Sequence, residues 1–321
     1  MSYFPDGRRP IIAIHMSDIQ AERLRRHSSQ PVVIEYSKST EPWNVPPEAD
    51  FLVTFMRGWA KAPRTAPPGW PHGLKWIQAG SAGLDAFPKW FFEGVPVSNG
   101  RGIQAIGIAE YVLTAILLHE KRLDQTIARS PADWREHPLG GLAGKTVGIL
   151  GFGAIGSAVA QRALAFGTRV LAYRRSAQPA DMAGVELART LEQLAAESDH
   201  LVVALPLTPD TKHIIDSGFL AHSKPGQHLI NVSRGAHVDQ QALLAALDKD
   251  TSRVATLDVT DPEPLPEGHP IYSHPGIRLT PHTSGQTERF EDLLTAKIFA
   301  NLDRFLAGQP LIDQVDPQKG Y

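Results

Sequence analysis

The chain has no cysteine among its 321 residues. That excludes disulfides, thiolate nucleophiles and cysteine-ligated metals, and it suits a reducing cytoplasm, the compartment we expect. Charge of one sign is also lacking: 32 basic residues against 34 acidic ones leave a net charge of −2, so there is no basic footprint for nucleic acid. No apolar run reaches the roughly 20 residues a helix needs to cross a bilayer, and no membrane span is expected. Residues Met1–Pro10 are polar, carry Arg8 and Arg9 and have no apolar run behind them, so they do not read as a signal peptide. There is no HExxH motif, and no metal is expected. The pair Asp258 and Asp261 is the one that could suggest an ion site. Internal repeats and low-complexity tracts are absent as well.

What is present is 42 % apolar and 21 % charged residues, enough to fill the cores of about two domains. Short apolar runs alternate with helix-like segments, the pattern of parallel α/β architecture. The first part predicts strands at Ile11–His15, Val32–Tyr36, Phe51–Phe55 and Leu74–Ala79, with a Pro- and Gly-rich surface loop over 61–73. The second predicts strands at Thr146–Leu150, Arg169–Tyr173, His200–Leu205, His228–Val232, Val254–Val259 and Arg278–Thr280. Between the two sets, Ile103–Arg122 reads as a connecting helix, with Gly100 and Gly102 as a hinge. Over Glu288–Leu306 the apolar residues Phe290, Leu293, Leu294, Ile298 and Leu302 fall at helical spacing, so this segment reads as a return helix.

The strand ending at Leu150 runs into Gly151-Phe-Gly-Ala-Ile-Gly156 and then a helix-like segment, Ala154 to Phe166. A glycine triplet at a strand–helix junction is a dinucleotide-binding signature. Gly151 permits the tight turn, Gly153 lets a pyrophosphate approach the backbone, and Gly156 allows close helix–strand packing. The helix N-terminus offers free N–H groups to phosphate. About 20 residues on, an acidic residue would bind the ribose 2′-hydroxyl of NAD. The sequence there is Arg174-Arg175-Ser176. Guanidinium groups bind a 2′-phosphate where a carboxylate would repel it, so NADP(H) is expected to be preferred, with NAD(H) possible.

Three further segments follow strand-like runs: Asn231-Val-Ser-Arg-Gly235, Asp258-Val-Thr-Asp-Pro-Glu-Pro264 and Thr280-Pro-His-Thr-Ser-Gly285. They offer Arg234, Glu263 and His282 at the carboxyl ends of successive strands, where ligands bind in open α/β sheets. One arginine for a carboxylate, one histidine for a proton and one glutamate to keep the histidine charged is the set that hydride transfer to a 2-keto acid requires.

These motifs, with Pro206-Leu-Thr-Pro-Asp-Thr211 and the closing Gln314-Val-Asp-Pro-Gln-Lys-Gly-Tyr321, resemble the D-isomer-specific 2-hydroxyacid dehydrogenases. Within them they are most similar to the glyoxylate/hydroxypyruvate reductase branch. The resemblance runs from about Gly80 to the C-terminus and is dense from Gly148 to Gly285. It implies two doubly wound parallel-sheet (Rossmann-like) domains with a cleft between them that closes over substrate. Residues 1–102 and 286–321 would form the substrate-binding domain and 103–285 the NAD(P)-binding domain. Arg234, Glu263 and His282 would be catalytic. Gly151, Phe152, Gly153, Ala154, Ile155, Gly156, Leu205, Pro206, Thr211, Val232, Ser233, Asp258, His282 and Ser284 would contact the cofactor, Asp258 near its carboxamide. The N–H groups of Ser81, Ala82 and Gly83 would cradle the substrate carboxylate. Met56-Arg-Gly-Trp59 follows another strand of the first part: either it lines the pocket, Arg57 reading a second polar group and Trp59 limiting size, or these are plain loop residues.

The implied reaction is NADPH-dependent reduction of glyoxylate or hydroxypyruvate by a homodimer. Trp134 lies in a segment that approaches the neighbouring subunit in related reductases, or else serves as a hydrophobic anchor. Thr283 after His282, with Glu263 present, argues against formate as substrate. Another D-2-hydroxyacid dehydrogenase, or an NAD(P)-sensing binding protein on the same scaffold, would carry much of the same pattern.

Overall fold

The computed structural model describes Phe4 and residues 7–175 and 182–316. The chain divides into two compact units, Met1–Gln104 with Thr287–Tyr321, and Ala105–Gln286. Among the described residues no helix is long and apolar enough to cross a membrane.

The first unit opens with β1 (Ile11–His15), α1 (Asp18–Leu24), β2 (Val32–Glu35), β3 (Phe51–Thr54), β4 (Trp76–Ala79) and β5 (Val97–Ser98). The strands pair in parallel in the order β2-β1-β3-β4-β5. Every residue of β3 and β4 is buried. Strands covered on both faces need no polar alternation, hence the runs Phe-Leu-Val-Thr and Trp-Ile-Gln-Ala.

The second unit begins with α2 (Ala105–Lys121) and α3 (Leu123–Thr126). It continues with β6 (Thr146–Leu150), α4 (Ala154–Ala165), β7 (Arg169–Tyr173), β8 (Val185–Leu187), α5 (Leu191–Glu197), β9 (His200–Val203) and α6 (Ser217–His222). It ends with β10 (His228–Asn231), α7 (Gln240–Lys249), β11 (Val254–Leu257) and β12 (Ile277–Leu279). Its seven parallel strands run β12-β11-β10-β9-β6-β7-β8. Thr190, Asp216 and Asp239 cap α5, α6 and α7 by accepting backbone N–H groups, each contributing about 1 kcal/mol. β5 and β8 are not among the expected strands, and α2 starts at Ala105, not Ile103.

The chain returns to the first unit as α8 (Phe290–Leu306). Leu294, Ile298 and Leu302 are fully buried against Ile12, Phe51 and Trp76, worth on the order of 2 kcal/mol each. Asn301, also fully buried, donates to Gln78 Oε1 (3.0 Å), Ser98 Oγ (3.2 Å) and the Ile312 carbonyl (3.1 Å), and accepts from Ile312 N–H (2.7 Å). This network satisfies every polar atom it buries and braces β4 just before the turn at Ser81.

Trp59 requires a correction. It is 1 % exposed, packed among Trp43, Trp70, Phe87, Trp90 and Phe91, and its Nε1 donates to Thr54 Oγ1 at 2.9 Å. It fills an aromatic core and does not line a pocket, because burying the ring with its N–H satisfied outweighs exposing it.

At the N-terminal ends of β9 and β10, three histidines meet. His119 of α2 stacks on His228 at 4.7 Å, and His200 meets His228 edge-on at 5.5 Å with their Nδ1 atoms 3.3 Å apart. Glu120 Oε1 lies 3.2 Å from His200 Nε2 and 2.5 Å from Lys145 Nζ. Burial is the main cause that pushes all three imidazoles down, His200 from 6.5 to about 4, with Glu120 opposing the shift at His119 and His200.

Below pH 6.5 the unfolded chain therefore takes up protons that the folded chain refuses, and stability falls as pH falls. His200 alone accounts for about 3 kcal/mol by pH 4. The window between about pH 6.5 and 5 belongs to these rings and to His27, which burial also pushes down, since unfolded carboxylates titrate lower. Urea unfolding at pH 7 and pH 5 should show a lower midpoint at pH 5; equal midpoints would remove the argument.

Candidate active site

The parallel strands of the second unit deliver the residues that follow β6, β7, β9, β10, β11 and β12 to one edge of the sheet, opposite the histidine cluster. After β6, Gly151 adopts φ +101°, and a Cβ there would lie 2.5 Å from the Ala204 carbonyl oxygen. Its N–H donates to Tyr173 O at 2.9 Å, so the turn is tied to β7 and packed on β9. At Gly156 a Cβ would meet Gly151 O at 2.3 Å, which is the close helix–strand packing expected.

Gly153 differs. It caps α4 in an extended conformation, and a Cβ there would meet nothing within 4 Å. Nothing in the protein's own packing demands glycine at 153. Open space beside the free N–H groups of a helix start does fit a phosphate that must approach the backbone. Phe152, Ala154 and Ile155 are half-buried around it. Arg174 and Arg175 follow β7, half-buried and exposed respectively, and Ser176 lies outside the described residues.

Several of the residues expected at a cofactor are turned into the protein. Thr211 Oγ1 donates to Pro206 O at 2.9 Å and accepts Thr208 N–H at 2.8 Å, closing its own loop. Ser233 Oγ donates to Leu205 O, linking the loops after β10 and β9. Val232 is buried at 5 % exposure. Asp258 is 1 % exposed, and its carboxylate accepts from Thr280 Oγ1 (2.6 Å), Thr283 N–H (2.9 Å) and Ser284 N–H (3.0 Å). Three of about four acceptor positions on the carboxylate are thus committed to the turn after β12.

That turn carries His282. Its backbone sits at φ +52°, a left-handed conformation uncommon for a side-chain-bearing residue. The conformation is over-determined: His282 N–H donates to Asp258 O at 2.8 Å, and the next two N–H groups are held by the Asp258 carboxylate. His282 Nδ1 lies 2.6 Å from Glu263 Oε1, with side-chain exposures of 41 % and 42 %. An ion pair this exposed contributes little to stability, so its geometry calls for another explanation. Nε2 of His282 has no hydrogen-bond partner among the described residues.

Arg234 follows β10 and is half-buried. Asn231 holds its turn from both sides, donating to Arg234 O at 2.8 Å and accepting Ser233 N–H at 3.1 Å. Arg234 Nη1 donates to Ser233 O at 2.9 Å. At Gly235 a Cβ would lie 1.9 Å from the Thr260 carbonyl carbon. Only glycine lets the Arg234 turn pack against the segment leading to Glu263, so the Ser-Arg-Gly triplet brings two members of the trio to adjoining loops.

In the first unit, the turn after β4 has Ser81 at 3 % exposure with no partner for its hydroxyl. Ser81 O accepts from Gly100 N–H (2.8 Å) and Ala82 O from Asn99 Nδ2 (3.1 Å). The N–H groups of Ser81, Ala82 and Gly83 take no acceptor among the described residues. Consecutive free N–H groups form a concavity suited to an oxyanion. Arg57 is exposed on the loop after β3. Among the described residues, no three or more His, Asp or Glu side chains are arranged so that they could hold a metal ion.

A family model described as the NAD binding domain of D-isomer specific 2-hydroxyacid dehydrogenases matches residues 113–284. The chain is 36 % identical over 263 residues to a glyoxylate/hydroxypyruvate reductase A of Serratia proteamaculans, covering 77 % of this chain and 82 % of that protein. It is similar to a D-isomer specific 2-hydroxyacid dehydrogenase of Xanthobacter autotrophicus solved with NADPH and MES (TM-score 0.80, 28 % identity, 98 % of this chain and 100 % of that one). An NADPH-dependent glyoxylate/hydroxypyruvate reductase of Sinorhizobium meliloti, solved with NADP and sulfate, matches with TM-score 0.79 and 26 % identity over 98 % of this chain and 100 % of that one.

Proposed function

The chain belongs to the D-isomer specific 2-hydroxyacid dehydrogenases, oxidoreductases with a nicotinamide cofactor, and from that premise we propose that it reduces glyoxylate, hydroxypyruvate or a close small 2-keto acid to the D-2-hydroxy acid, preferring NADPH. The observation that carries this reading is the His282–Glu263 pair, with Nδ1 engaged at 2.6 Å and Nε2 open, on the same sheet edge as Arg234.

The reduced nicotinamide, when bound, supplies the hydride. Arg234 takes the substrate carboxylate on its guanidinium fork and polarises the neighbouring carbonyl. His282 gives its Nε2 proton to the carbonyl oxygen as that oxygen becomes a hydroxyl, and takes it back in the reverse direction. Glu263 balances the charge of the imidazolium. The Ser81–Gly83 N–H groups suit the same class of ligand, a carboxylate. Arg174 and Arg175 stand where an acid would select NAD, which supports the NADPH preference.

The test is oxidation of NADPH, and separately of NADH, with a series of 2-keto acids of increasing size. Turnover of the smallest acids with higher kcat/KM for NADPH is the expected result. A higher kcat/KM with NADH would remove the arginine assignment, and turnover confined to bulkier acids would remove the substrate. No turnover on any 2-keto acid would overturn the proposed reaction.

We also propose a homodimer. All of residues 122–140 except Thr126 are exposed, and they present Leu123 (59 %), Ile127 (59 %), Trp134 (86 %) and Leu139 (50 %) to solvent. An apolar series of this kind is what a second copy would cover. Light scattering should give the mass of two chains; a one-chain mass at assay concentrations would count against it.

A further inference from the structure

The turn that carries His282 is tied to β11 through Asp258, and one side chain reaches it from elsewhere. Tyr111 projects from α2, and its hydroxyl lies 2.6 Å from Thr280 Oγ1. Thr280 Oγ1 in turn donates to Asp258 Oδ1 at 2.6 Å. A threonine hydroxyl has one proton. With that proton committed to Asp258, the bond from α2 must run the other way, with the tyrosine O–H donating and the threonine oxygen accepting. Burial pushes the Tyr111 phenol above its ordinary value, which suits a group that must keep its proton.

The same Asp258 residue holds the N–H groups of His282, Thr283 and Ser284. These bonds together hold a left-handed histidine at φ +52°. We propose that Tyr111 is a positioning residue for His282, acting through Thr280 and Asp258 to hold the imidazole where its Nδ1 stays on Glu263 and its Nε2 faces the reacting oxygen. The inference rests on the reaction proposed above.

The test uses Tyr111→Phe, Thr280→Val and the double variant in the full chain. For Tyr111→Phe, kcat should fall about five- to tenfold, the size of one net hydrogen bond, while KM stays within about twofold. Because the tyrosine acts through the threonine, the double variant should be no slower than the slower single one. Multiplying losses in the double variant would overturn the relay, as would unchanged kcat in Tyr111→Phe.

A second measurement needs no turnover. The ring-nitrogen NMR signals of His282, identified by their loss in His282→Ala, should shift or broaden in Tyr111→Phe. Identical signals would overturn the proposal. If Tyr111→Phe does not fold, Thr280→Val carries the same readout. If the wild type turns over no keto acid, the proposed reaction falls while the nitrogen signals still decide whether Tyr111 positions His282.

Discussion

Replacing His282 with alanine is expected to lower keto-acid reduction by roughly 10²–10⁴-fold while leaving cofactor binding close to wild type. The range is that of a lost general acid. It should appear in kcat because nothing in the fold leans on this ring. The side chain is 41 % exposed, and Glu263, its one partner among the described residues, is 42 % exposed. Pairs of that kind are worth about 0–1 kcal/mol, so the melting temperature should hardly move.

Glu263→Gln separates charge from contact. Glutamine still offers Nδ1 an oxygen but no negative charge, so the imidazolium loses its balancing partner. Reduction uses the proton of that imidazolium, so kcat should fall while KM for the keto acid stays close to wild type. An unchanged kcat would show that the carboxylate 2.6 Å from Nδ1 plays no part in turnover.

Arg234→Leu should cost roughly 10²–10³-fold in kcat/KM, because a substrate carboxylate loses a charge-assisted, two-pronged partner. The diagnostic is selectivity. Wild type should prefer a 2-keto acid over a neutral ketone of the same size, and the variant should lose most of that preference. Arg234→Lys should fall between, since it keeps the charge and loses the planar fork. The leucine variant also removes the donor to Ser233 O, so its unfolding midpoint must be measured beside its kinetics. An undiminished preference for the acid would move carboxylate recognition away from Arg234.

Much of this was legible from residue order. β6 and β7 fall at the expected residues, because Thr146–Leu150 and Arg169–Tyr173 are apolar runs bounded by a turn or a helix. The placement of Arg234, Glu263 and His282 on one sheet edge was legible for a related reason: parallel strands send whatever follows them to one edge, so strand ends in the sequence become neighbours in the fold. β5 and β8 escaped because two and three residues make no periodicity.

Trp59 misled because a tryptophan on a loop looks the same in sequence whether it lines a site or fills a core. Its partners Trp70, Phe87, Trp90 and Phe91 come from segments that only folding brings together. Tyr111 was invisible for the opposite reason. It sits within the apolar series of α2, and only the 2.6 Å approach of its hydroxyl to a residue 169 positions away distinguishes it.

The return of α8 to the first unit bears on how the chain is made. Translation delivers residues 1–104 before 105–286, yet the unit they belong to is completed by residues from Thr287 onward. Gln78 and Ser98 wait for Asn301, and the faces of Phe51 and Trp76 wait for Leu294, Ile298 and Leu302. The unit emerging second, 105–286, is continuous and holds all its own strands. Domains generally fold as units from the N-terminus during synthesis. Here the unit that begins to emerge before 105–286 would finish after it, leaving an apolar surface uncovered until residues 287–306 have been made.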